Sequence, residues 1–136
     1  MTLNEGLRKI SVAYSAGSAG ALLSSLLEWA LGYAGITQML NAKNAPDLSV
    51  DWLFLRLVWG GLWGLMFLIP FFQHSYFRRG FLYSIPPALA LLLIVYPGTG
   101  MGMLGLKMGN AVPFLAVFFN MVWAICAVTW LKICER

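Results

Sequence analysis

The chain has 136 residues, of which 60% are hydrophobic and 10% charged, whereas a soluble domain carries about a quarter charged residues. A mean hydropathy of +0.77 in so small a chain leaves more apolar surface than a core can hide, which excludes a soluble globule and makes the bilayer the solvent. The net charge of +4 would suggest nucleic acid in a soluble protein; here the cations are few and scattered, so they are read as setting orientation in a lipid bilayer, with no nucleic-acid partner.

Four apolar runs follow one another over about 10–35, 52–73, 80–96 and 111–131, to be compared with the ~20 residues that a spanning helix needs. They predict an all-α, polytopic integral membrane protein with four transmembrane helices in a single domain, 1–136. The first run begins like a signal peptide, with Arg8-Lys9 ahead of apolar residues and small residues in "SAGSAG". Its apolar character continues well past them, and further still if "ITQML" is included, so it is read as a retained first helix. Ala13, Gly17, Ala21, Ser24 and Glu28 recur at steps of three and four, with Ala16, Gly20 and Gly32 beside them. Such a face of small side chains lets helices approach closely in lipid. It also turns Glu28 into the bundle, where an intramembrane charge is least costly.

"NAKNAPDLSVD", 41–51, is polar and turn-rich and reads as an external loop that includes Asp47 and Asp51. The second run repeats the design of the first. Arg56, Gly60 and Gly64 stand four apart, and Trp59, Trp63 and Phe67 flank them. With the first helix running outward and the second inward, Glu28 and Arg56 both fall about 9 Å to the outer side of the bilayer centre. Opposite charges at matching depth on facing small-residue surfaces predict a Glu28–Arg56 ion pair.

"QHSYFRRG", 73–80, reads as a short cytoplasmic turn that makes the second and third helices antiparallel neighbours. The third run is marginal in length and carries the kink-prone pair Pro86-Pro87. In 97–110, five glycines alternate with three methionines and two leucines. That segment is expected at the outer interface, or dipping back against the bundle where protein satisfies its backbone. Asn110 is expected to cap the fourth helix, with Pro113 tolerated in its first turn. Asn120, between Phe119 and Met121, is expected to make an interhelical hydrogen bond rather than a substrate contact.

Arg8, Lys9, Arg78, Arg79, Lys132 and Arg136 fall at the termini and the second connection, against Lys43 and Lys107 in the other two. This bias predicts that both termini are cytoplasmic (N-in/C-in), and an even number of spans independently requires the termini to share a side. Arg78-Arg79 thus enforces topology and could also meet anionic lipid head groups. Trp52, Tyr76, Phe77, Tyr96 and Trp130 are expected in interfacial belts. Cys126 and Cys134 lie about 12 Å apart along a helix, too far to bridge, and are read as reduced packing residues. His74, the single histidine, has no companion ligands and is read as interfacial rather than metal-binding.

No HExxH, nucleotide-binding Gly-rich loop, nucleophile elbow, Cys–His pair or intramembrane carboxylate dyad is visible, so the chain is read as a non-enzyme without cofactor or metal. Glu28 alone would suggest a proton or cation site. A neighbouring guanidinium, however, keeps a carboxylate ionised and disfavours proton coupling. The expected function is therefore a small accessory or scaffold subunit acting through helix–helix association, as a homo-oligomer or within a larger membrane-protein complex. The alternative is an oligomeric channel or transporter with Glu28 at its permeation or coupling site.

In outline, the four spans and the glutamate in the first helix resemble small multidrug-resistance transporters; Arg56, the long external connections and the Gly/Met segment depart from them. The span number also resembles that of fluoride channels, without their Thr/Ser-rich pore segment. "AGALLSSLLEW", the later "MGMLGL" and a Trp-containing last helix resemble YagU-type bacterial inner-membrane proteins, which implies placement in a bacterial inner membrane.

Overall fold

The computed structural model describes residues 2–42, 46–69 and 75–134, apart from the side chain of Tyr76. Among the described residues the backbone is all-α, with four helices long and apolar enough to cross a membrane. His74, Gln73, Lys43 and Arg136 lie outside the described residues.

The first helix, Leu3–Tyr33, starts earlier than the apolar run because Thr2 and Glu5 form a reciprocal capping box, each satisfying the other's backbone N–H. It stops short of "ITQML" because Gly35 adopts φ +83, a left-handed conformation that glycine takes without steric cost. Ile36–Met39 then forms a separate short helix. The second helix starts at Val50, where Ser49 accepts from the Trp52 amide; Asp51 thus belongs to its first turn, not to the loop. It is α-helical to Gly64 and 3-10 over Leu65–Leu68.

The third helix is longer than its apolar run. It is α-helical over Tyr76–Ala90 through Pro86-Pro87, widens to a π-turn over Leu91–Val95, and ends at Gly98. The fourth, Val112–Cys134, has Ala111 at its cap position, since the Leu115 amide donates to the Ala111 carbonyl. Asn110 is therefore one residue too early to cap it. Between these helices the Gly/Met segment folds back on the bundle. Gly105 takes φ +74 beside Leu104 at φ 61, and Met101, Leu104 and Met108 pack on a cluster that includes Ala42, Tyr96, Val112 and Phe119. Tyr96 is thus a buried core residue rather than part of an interfacial belt.

The first helix is the hub. On one side a Cβ added to Gly64 would lie 2.6 Å from the Ala13 carbonyl oxygen and 2.7 Å from the Gly17 Cα, so only glycine permits this approach of the second helix. On the other side a Cβ at Gly20 would lie 2.5 Å from the Trp123 carbonyl oxygen on the fourth helix. Buried Ala16, Ala124 and Ala127 continue that close seam. The third helix packs in turn on the fourth, with Gly80 against Ile125.

The spatial order is therefore second, first, fourth, third. The second and third helices are antiparallel, since the last turn of the one meets the first turns of the other, but they do not pack along their length. They meet at the end that holds Phe67, Ile69, Arg79 and Tyr83. There an Arg79 Nη2–H donates to the Phe67 carbonyl at 2.8 Å, the Tyr83 hydroxyl donates to the Ile69 carbonyl, and the Phe67 and Tyr83 rings meet edge to face. Toward the opposite end they diverge.

Candidate functional site

That divergence opens a groove of about 860 Å³, walled by the second and third helices and floored by the first and fourth. Trp52, Trp59 and Trp63 form one wall, and Pro87, Leu91 and Ile94 form the other. The π-turn places Leu91, Ile94 and Val95 on this wall. Such turns add a residue to the helix and re-aim its side chains.

Glu28 and Arg56 both line the groove and touch each other, with Arg56 Nη2 2.7 Å from Glu28 Oε2. The two charges are held unequally. Glu28 is 13% exposed, while 34% of the Arg56 side chain is open. Arg56 Nε–H also donates to Ser25 Oγ at 2.6 Å, and the guanidinium lies 5.0 Å from the Trp52 ring centroid. The pair is thus fixed by a carboxylate, a buried hydroxyl and an aromatic face. A buried ion pair needs such further contacts to offset desolvation of both charges.

The other sequence-predicted residues fall in distinct places. Gly17, Gly60 and Gly64 form the seam between the first two helices, while Gly20 faces the fourth. Ser24 is buried at the groove floor, and its hydroxyl donates within its own helix to Ala21. Asn120 also lines the groove, but its amide donates to the Ala116 carbonyl one turn back, at 2.8 Å, rather than across to another helix. An asparagine four residues from an available carbonyl can satisfy itself locally.

Arg78 and Arg79 separate. Arg78 is exposed, whereas Arg79 turns inward to the Phe67 carbonyl and sits over the Phe67 and Tyr83 rings. Arg79 is thus engaged within the fold, while Arg78 stays at the surface. Cys126 and Cys134 are both free thiols. Among the described residues no group of three or more His, Cys, Asp and Glu could hold a metal.

Sequence reading missed the groove itself, because it depends on which helices do not pack. It also missed Ser25, although Ser25 stands three residues before Glu28 and so shares its face. No local signal marked Trp123, whose indole N–H reaches the Gly17 carbonyl. Set beside protein-family models, curated proteins and solved structures, the chain matches none of them.

Proposed function

We propose that this chain is a small non-catalytic integral membrane protein of a bacterial inner membrane, with both termini cytoplasmic, which serves as an accessory or scaffold subunit. One observation carries this reading. The second helix is covered along Gly60, Gly61 and Gly64, with Leu57, Trp63, Met66 and Phe67 packed beside them, while Val50, Phe54, Trp59 and Leu62 stay open. A helix so sparsely packed in its own fold retains most of its surface for association with another membrane helix. The six-to-two distribution of cations supports the orientation, and the faint YagU-type resemblance supports the membrane.

The ion pair favours this reading over transport. Glu28 serves as the anchor of Arg56, and Pro87, Leu91 and Ile94 make the third-helix wall apolar. A second reading, an oligomeric channel or transporter, draws its support from Glu28 and Asn120 facing one groove.

Purification in mild detergent, with a photoreactive residue at Phe54 and a control at Phe114 on the fourth helix, tests the proposal. A stoichiometric adduct from Phe54, either a larger membrane protein or a second copy, is expected. Flux driven by a pH gradient in proteoliposomes, lost in Glu28→Gln and kept in Arg56→Gln, would sink it.

A further inference from the structure

The groove joins a long apolar trough to one charged end. A guanidinium carries five N–H donors. In Arg56, Nε serves Ser25 and Nη2 serves Glu28, and among the described residues no partner engages Nη1. The exposed third of the side chain opens into the groove. A cation edge in an apolar setting calls for an acceptor oxygen, since leaving it unmet is costly.

Depth indicates where that oxygen comes from. Trp52 lies one turn nearer the start of the second helix than Arg56, and the guanidinium stands over its ring. Arg56 stands six residues, ~9 Å, from the helix start at Val50, and its guanidinium leans back toward Trp52, which puts the charge in the outer part of one leaflet and not at the middle of the hydrocarbon. From Arg56 the helix descends about 10 Å to Trp63, within the ~15 Å of one leaflet's share of a ~30 Å core. Along that descent Trp59, Trp63, Leu91 and Ile94 present apolar walls.

We infer that the groove is a binding site for one membrane phospholipid. A phosphodiester oxygen accepts from Nη1 of Arg56, and one acyl chain lies between Trp59 and Ile94. Glu28 cancels the charge of Arg56, so the site selects for a phosphate oxygen at this depth and not for excess negative charge. Zwitterionic and anionic phospholipids both supply that oxygen, whereas a neutral alkyl glycoside does not. This inference rests on the bilayer placement proposed above but not on the accessory role.

The test is native mass spectrometry of the full chain, delipidated and then offered phosphatidylethanolamine, phosphatidylglycerol or dodecyl maltoside. One phospholipid per chain is expected, with similar affinity for the two heads and none for the maltoside in its place. The double variant Glu28→Gln/Arg56→Gln replaces the charge-assisted bond with neutral amides, which should weaken retention about ten- to a hundredfold. Ile94→Trp fills the trough while leaving the pair intact and should weaken it comparably; thermal melting checks that each variant folds. If the double variant does not fold, Ile94→Trp decides alone. Equal retention by Ile94→Trp and the parent chain overturns the site. So does a protein helix or second copy cross-linked from a photoreactive residue at Ile94, an outcome that leaves the accessory role standing. Retention of one lipid with no adduct at Phe54 has the reverse meaning.

Discussion

Trp123 donates its indole N–H to the carbonyl of Gly17, 106 positions earlier in the chain and 2.8 Å away. The bond crosses the seam between the first and fourth helices, next to the point where Gly20 admits the Trp123 backbone. Replacing Trp123 with Phe keeps a ring but leaves a buried carbonyl without this donor, which should cost about 1–3 kcal/mol. Thermal melting in detergent against the parent chain measures it.

Gly17 and Gly64 meet so closely that a methyl group at either must push the helices apart. Gly64→Ala is expected to destabilise the bundle by about 1–3 kcal/mol as overpacking. Gly98→Ala, where nothing lies within 4 Å of the new Cβ, should leave the melting temperature nearly unchanged. Similar losses from both substitutions would disprove the seam.

Glu28 and Arg56 should be energetically coupled. In a double-mutant cycle with Glu28→Gln and Arg56→Gln, the two losses should fail to add by about 0.5–3 kcal/mol. Additive losses would mean that the two charges act independently in the fold.

Arg78 and Arg79 should behave as different residues despite their adjacency. Arg79→Met removes the donor to the Phe67 carbonyl and should loosen the end where the second and third helices meet, at about 1–3 kcal/mol. Arg78→Met, at an exposed site, should stay within about 0.5 kcal/mol. Hydrogen exchange at residues 65–69 distinguishes the two cases.

Topology is open to a direct check, because Cys134 is an exposed thiol on the last helix. With Cys126→Ser as background, a membrane-impermeant thiol reagent should label Cys134 only from the cytoplasmic face. Asp47→Cys should label from the opposite face. Labelling of Cys134 from outside would reverse the proposed orientation.

Helix number and type were legible in the sequence because apolar run length alone carries them, as in the run that became Val112–Cys134. Boundaries were less so. Residues 3–9 and 76–79 entered helices on capping and continuation, which hydropathy does not register. Steps of three and four placed Glu28 and Arg56 on faces of their own helices, but which helix fills the space beside them is a tertiary matter. "QHSYFRRG" set the direction of the third helix relative to the second, yet direction says nothing about packing. For Asn120, position in the run suggested a reach to another helix, and the carbonyl one turn back was nearer.

The row of second, first, fourth and third helices also divides the molecule into two hairpins, each made of consecutive segments. Glycines knit the first hairpin, Gly80 against Ile125 helps to knit the second, and the two join along the line of Gly20 and Trp123. Each half can therefore assemble as it emerges from the ribosome, before the other exists. A chain cut between Ile69 and Ser75 and supplied as two co-expressed pieces should reunite in the membrane, and a Gly20→Leu change should keep the pieces apart while leaving each hairpin formed.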